Sequence, residues 1–341
     1  MMNWMPPDNW MKVTAVDAHT AGEPLRVITS GFPELPGETI LAKRRYAKAH
    51  FDDLRTALMW EPRGHADMYG AIVTEPVTPD GDLGVLFIHN EGFSTMCGHG
   101  IIGLATVGLD TGLIDMPGER LVIKMDTPAG RVTAFAERVN GRIAQVSFHN
   151  VPSFVYALDQ KVDVPGLRSV RYDVAFGGAF YAFVNAVELG IGLTSDDFRR
   201  LIDVGMRIKQ AVTANLKIKH PFEPDLGFLY GTIFVGDAVD PTHHSRNVCI
   251  FADGEVDRCP TGTGVSARAA LHFARGDIGL NEPFVVESIL GTCFTGEVVK
   301  TTAFGPYDAV VPQVTGAASI TGLNTLLIDP NDPLRNGFML R

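Results

Sequence analysis

The chain has 341 residues, 45% of them apolar and 20% charged, a composition that supplies a large buried core and excludes disorder. A net charge of −10, from 29 basic and 39 acidic residues, repels phosphate backbones and argues against nucleic acid as a partner. No segment approaches the roughly 18 uninterrupted apolar residues of a membrane span, which argues against membrane insertion. Residues 1–12 lack the basic start and apolar run of an export signal, so a cytoplasmic location is expected.

Cys97, Cys249, Cys259 and Cys293 are too few and too scattered for a disulfide scaffold, so each is read first as a small buried apolar residue. The 36 glycines and 21 prolines cut the chain into short strand-like segments, which favours many strands and few helices. In chain order, residues 16–22 lead through a Gly-containing turn to 25–28. Residues 39–59 then place Ala47, Phe51, Leu54 and Leu58 at helical spacing. The Lys43-Arg44-Arg45 cluster falls inside that stretch and is expected on a solvated helix face. Cys97-Gly98-His99-Gly100 opens a second helix over 101–114. Strand-like 132–138, then Asn140-Gly141, then 143–148 form the clearest hairpin signal in the chain. Further on, 172–178 lead to 181–184, and Thr194-Ser195-Asp196-Asp197 caps a helix bearing Phe198, Leu201, Ile202, Ile208 and Val212. Thr261-Gly262-Thr263-Gly264 opens a helix over 265–278.

The order of these signals repeats. Asp17 matches Asp173 and Cys97 matches Thr261 at offsets close to half the chain, which implies a duplicated architecture. The expected division is 1–171 with the C-terminal segment 322–341 as the first domain, and 172–321 as the second. A ligand site is expected in the cleft between them, with two helix N-termini facing it.

Cys97, at a helix start, meets unpaired N–H groups and the positive end of the helix dipole, which favours thiolate and lets the residue act as a base near neutral pH. Gly98, Gly100, Gly262 and Gly264 allow backbone to approach an anionic group such as a carboxylate. Cys-Gly-His-Gly also invites a zinc reading, but no second Cys-x-x-Cys or His-x-x-x-His pair accompanies it, and His243-His244 falls in a loop with adjacent rings pointing apart. Residues two apart do not ordinarily bring thiol and imidazole together, so a Cys97–His99 dyad is not expected.

Four segments carry a family resemblance: Asp17-Ala18-His19-Thr20-Ala21-Gly22-Glu23-Pro24-Leu25-Arg26, Glu61-Pro62-Arg63-Gly64-His65-Ala66-Asp67-Met68-Tyr69-Gly70, Met96-Cys97-Gly98-His99-Gly100, and Asp257-Arg258-Cys259-Pro260-Thr261-Gly262-Thr263-Gly264. Together they resemble the proline racemase family over nearly the whole chain, to Asp329-Pro330-Asn331-Asp332-Pro333. The resemblance implies the diaminopimelate-epimerase-like fold, two similar α/β domains around a cofactor-free site for a small imino acid. It leaves open whether the protein is a homodimer. It also implies that Gly98, His99, Gly262 and Thr263 hold the substrate and that Asp257 pairs with its ring ammonium.

One position departs from the racemases and 4-hydroxyproline epimerases, which carry a second cysteine where this chain has Thr261. A threonine hydroxyl is no general base at neutral pH without an activating partner. Cys259, two residues earlier and before Pro260, is expected to sit several ångströms from the helix mouth. The Cys97/Thr261 pattern resembles the trans-3-hydroxy-L-proline dehydratases of the family. Stereochemistry agrees: in that imino acid the α-hydrogen and the 3-hydroxyl share a ring face, so one thiol can serve both. A proline racemase or 4-hydroxyproline epimerase, and a non-catalytic binder of proline-like solutes, are the alternatives.

Overall fold

Strand pairing repeats along the chain. In the computed structural model, which describes residues 4–167 and 169–340, the first half runs β1 (Met11–Thr20), β2 (Glu23–Ser30), α1 (Ile40–His50), α2 (Asp52–Met59), β3 (Tyr69–Thr74), β4 (Leu83–His89), β5 (Gly92–Phe93), α3 (Gly98–Thr111), β6 (Arg120–Thr127), β7 (Gly130–Val139) and β8 (Arg142–His149). The second runs β9 (Ser153–Asp163), β10 (Ser169–Phe176), β11 (Phe180–Asn185), α4 (Ala186–Leu189), α5 (Phe198–Asn215), β12 (Leu229–Gly236), β13 (Ser245–Phe251), β14 (Glu255–Val256), α6 (Gly262–Arg275), β15 (Phe284–Glu287), β16 (Cys293–Phe304) and β17 (Tyr307–Gly316); β18 (Ala318–Ile328) follows. The result is a mixed α/β fold.

Each pairing in one half has a counterpart in the other. β1 with β2 and β10 with β11 are antiparallel, β2 with β3 and β11 with β12 parallel, β3 with β4 and β12 with β13 antiparallel, and β4 with β6 and β13 with β15 parallel. The registers correspond residue by residue: Gly84 lies opposite Asp126 where Arg246 lies opposite Glu287. Both acids do the same work. Asp126 accepts from the amides of Val77 and Thr78, and Glu287 from those of Val239 and Asp240, at 2.9 Å each.

The C-terminal strand β18, which begins at Ala318, pairs antiparallel with β1. In the second half the equivalent place beside β10 belongs to β9, which also pairs with β17. The expected boundary at 171 gave β9 to the first half. Among the described residues β9 pairs with strands that follow it, β10 and β17.

The predicted hairpin is β7–β8, with Asn140 at φ 52° and Gly141 at φ 80°, the two positive values that its tight turn requires. The stretch 39–59 is two helices rather than one. Phe51 leaves helical geometry (φ −133°, ψ 23°), its N–H still bonded to the Ala47 carbonyl, and Asp52 and Asp53 place negative charge at the start of α2. The basic cluster on α1 is also corrected. Only Arg45 is exposed, bonded to Asp225 at 2.7 Å. Lys43 and Arg44 are buried and donate to the carbonyls of Glu75 and Phe93.

α3 and α6 occupy matching places. Each has 14 residues and ends at a left-handed glycine, Gly112 or Gly276. α3 packs on β1, β8 and β18, and α6 on β9, β10 and β17. Gly98–Leu109 is buried on every side, which is why α3 lacks a polar face. Ile101 and Leu104 are fully covered, each contributing about 1.5–3 kcal/mol of apolar burial.

Candidate active site

The two central helices meet end to end. A Cβ on Gly98 would lie 2.6 Å from the Gly262 Cα, and one on Gly262 2.7 Å from the Gly98 Cα, so no other residue fits at either place. These glycines, expected to admit an anion, are first of all what lets two helix N-termini touch. Each cap loop is also held by the opposite half. Thr95 Oγ1 donates to the Gly178 carbonyl at 2.7 Å, and the Arg258 amide, before α6, donates to the Glu23 carboxylate at 2.7 Å.

Around this contact, Tyr69, Cys97, Gly98, His99, Asp257, Thr261, Gly262 and Thr263 line one small space, about 20 Å³, closed further by Met96, Tyr181, Tyr230, Cys249 and Phe251. The structure thus brings together all seven residues singled out in the sequence. That space has room for roughly one water.

Cys97 is the N-cap of α3, and its Sγ accepts from the Gly100 amide at 3.2 Å. Contrary to the expectation from spacing, His99 reaches it: Nδ1 lies 3.2 Å from Sγ. The cap residue is extended (φ −144°) while His99 is already helical, and that break turns two side chains toward each other. The thiol's acidity also departs from expectation. Burial pushes the Cys97 thiol well above its ordinary range, and the carboxylates of Asp257 and Glu23 add to this, outweighing the Gly100 amide and the Tyr69 hydroxyl that favour thiolate. His99 is driven down to about 3 by burial, against a hydrogen bond to the Pro24 carbonyl, and is uncharged at neutral pH.

Thr261 caps α6 with φ 66° and ψ 91°, a conformation that costs a β-branched residue about 1–3 kcal/mol. Its Oγ1 is buried without a well-formed hydrogen bond, beside Asp257 and Cys249. Asp257 is buried and its carboxyl raised by desolvation, with the Cys259 amide donating to Oδ1 at 2.9 Å. Thr263 Oγ1 lies 2.7 Å from the Tyr181 hydroxyl. Cys259 does not line the space, and its Sγ accepts from the Thr261 amide at 3.3 Å.

His99, Asp257 and Cys259 each bring a ligand atom within 4.8 Å of the others, a grouping the sequence spacing did not suggest. All three are engaged within the protein, His99 with Cys97, Asp257 with the Cys259 amide, and Cys259 with the Thr261 amide. His243 turns to Glu287 and His244 to Ser245, as adjacent rings pointing apart should.

Sequence reasoning missed the aromatic wall. Tyr69, whose ring meets that of His99 edge to face at 4.7 Å, lies within a family-like segment, and Tyr181 is the second residue of β11, just after Gly177-Gly178, so both carried a signal. Tyr230, Cys249 and Phe251 sit in apolar runs of β12 and β13, where nothing separates a site residue from a core residue. Glu23 was also passed over. It is fully buried, accepts from the Arg258 amide at 2.7 Å, and is raised well above the carboxylate range by burial and by Asp257.

The profile of the proline racemase family matches residues 15–339. The chain belongs to the proline racemase family. It is 48% identical to a trans-3-hydroxy-L-proline dehydratase of Colwellia psychrerythraea, over 99% of this chain and 96% of that one. It is 47% identical to the human trans-3-hydroxy-L-proline dehydratase, over 96% and 95%. Among solved structures, a hydroxyproline epimerase from Agrobacterium vitis with bound trans-4-hydroxy-L-proline superposes with a TM-score of 0.93 at 30% identity, over 98% of this chain and 96% of that one. Among the described residues no helix is long and apolar enough to cross a membrane.

Proposed function

We propose that the protein dehydrates trans-3-hydroxy-L-proline to Δ1-pyrroline-2-carboxylate in a cofactor-free site between two similar domains. The observation that carries this is the pair of residues at the two N-cap positions, a thiol-bearing Cys97 on α3 and Thr261 on α6. The 48% identical dehydratase supports it.

In this reading the substrate carboxylate lies against the amides at the two helix N-termini, through Gly98 and His99 on one side and Gly262 and Thr263 on the other. Negative charge that builds there as the α-proton leaves is stabilised by those dipoles. The ring ammonium faces Asp257. That ammonium also favours the Cys97 thiolate, and uncharged His99 stays beside Sγ as a neutral hydrogen-bonding partner. The thiolate removes the α-proton. The 3-hydroxyl departs from the same face, taking a proton from the thiol to leave as water, and the enamine tautomerises to the pyrroline. Thr261 forms the opposite wall and takes no proton. A pyrrolidine ring exceeds the enclosed space, so the walls part to admit it.

Purified protein should form pyrroline from trans-3-hydroxy-L-proline and neither invert nor dehydrate trans-4-hydroxy-L-proline or L-proline. Inversion of the 4-hydroxy epimer without pyrroline would establish the epimerase reading, which the 30% identical epimerase structure favours. Binding without loss of α-deuterium to water would establish the non-catalytic one. In the same assay, chelator and dialysis should leave the rate unchanged. A rate lost to chelator and restored by zinc would instead assign an ion to His99, Asp257 and Cys259.

A further inference from the structure

The two halves differ where their folds correspond. With Gly98 matched to Gly262, Leu104 of α3 corresponds to Arg268 of α6. The matching registers against β6 and β15 set Leu83 beside Ser245 in the correspondence, and Val85 beside Asn247. All six are buried. The first half fills this place with three aliphatic side chains and the second fills it with a hydroxyl, an amide and a guanidinium. Building the fold therefore does not require the polar set, and burying it without a counter-charge is costly.

Each acceptor around Arg268 is neutral: Ser245 Oγ at 2.5 Å, Asn247 Oδ1 at 3.1 Å, His272 Nε2 at 2.9 Å and His244 Nδ1 at 3.4 Å. Asn247 spends its other end on the site, donating from Nδ2 to the Pro260 carbonyl at 3.2 Å. That carbonyl belongs to the peptide entering Thr261, the cap held at φ 66°. At the matching place in the first half the Met96 carbonyl is bonded locally by Ser94 Oγ at 2.9 Å, and the Cys97 cap has an ordinary extended conformation. The strained cap is anchored from a separate strand, β13, and the relaxed one only by a residue two positions before the carbonyl.

We propose that Arg268 and Asn247 are positioning residues for the Thr261 turn. Arg268 locks the Asn247 amide in the orientation that holds the Pro260 carbonyl. The held peptide keeps Thr261 in its left-handed conformation and the amides of Gly262 and Thr263 aimed into the site. Neither residue touches substrate.

Asn247→Asp tests this directly. It gives Arg268 an ion pair but replaces the Nδ2 donor with an oxygen that repels the Pro260 carbonyl. The expected result is a folded protein with a Tm no lower than that of the wild type, kcat/KM for trans-3-hydroxy-L-proline reduced on the order of 10²-fold, and KM raised as well as kcat lowered. A residue that only supported the fold would lower kcat in step with the folded fraction and leave KM alone. The triple variant Ser245→Leu, Asn247→Val and Arg268→Leu reproduces the first half's packing and should fold and show the same kinetic loss. Wild-type kinetics in either folded variant overturns the proposal. Loss of the fold in both does too, because the network would then hold the half together rather than the turn. The assay rests on the dehydratase reading, and calorimetric binding of the same imino acid separates the two. A wild type that binds without turnover overturns that reading, while a Kd unchanged by Asn247→Asp overturns this one.

Discussion

Cys97→Ser should reduce dehydration of trans-3-hydroxy-L-proline by roughly 10²–10⁴-fold, the usual contribution of a positioned general base, with the protein still folded. Serine keeps the cap, because a hydroxyl accepts from the Gly100 amide as Sγ does, so stability should change little. What is lost is ionisation, since an alkyl hydroxyl is a far weaker acid than a thiol. The pH profile supplies an independent check. Burial holds the Cys97 thiol above its ordinary range, so at neutral pH thiolate is the minor form and its fraction grows with each unit of pH. The logarithm of kcat/KM should then climb with a slope of about one through neutrality into the alkaline range. His99, driven down to about 3, stays neutral throughout and adds no limb there. A profile flat across neutrality would mean that the resting residue is already a thiolate, and near-normal turnover by Cys97→Ser would remove it from the reaction.

Thr261→Cys should give the protein an activity that the wild type lacks, inversion of L-proline or trans-4-hydroxy-L-proline at the α-carbon. The position faces Cys97 across the contact of the two helices, so a thiol there serves the opposite ring face. Cysteine is unbranched at Cβ and bears φ 66° with less strain than threonine, so the variant should fold. Asp257 lies against the same point as a buried carboxyl with raised affinity for a proton, and it can exchange one with a neighbouring thiol. Chiral chromatography of both imino acids, run beside a spectrophotometric assay for pyrroline from trans-3-hydroxy-L-proline, reads the gain. Efficient inversion by the unmodified protein with no pyrroline formed would mean that Cys259 or another group already supplies the second acid.

The repeat of turn and helix signals was legible because each rests on local chemistry. Asn140-Gly141 accepts two positive φ values, and Gly98 and Gly262 open helices of equal length at matching offsets. Where the reading failed, a distant group decided. The basic run at 43–45 looks solvated until Glu75 and Phe93 present carbonyls to it from other elements. The 39–59 helix looks continuous because its apolar spacing runs through Phe51, where the backbone breaks.

At the site the same division holds. The sequence by itself determined that Cys97 and Thr261 would stand at the N-termini of two equivalent helices, since helix starts and glycine placement are decided within a few residues of chain. It also contained the family-like segments that name Cys97, His99, Asp257 and Thr261. Only the tertiary structure decided how those groups behave. It set Cys97 and His99 3.2 Å apart, buried the thiol deeply enough to reverse the effect expected of its helix terminus, and tied Thr261 through Asn247 of β13 to Arg268 of α6. The reason is the range of the forces involved. Turn and cap preferences act between near neighbours in sequence, whereas desolvation and buried hydrogen bonding depend on every element that closes around a group, and here those elements come from both halves of the chain.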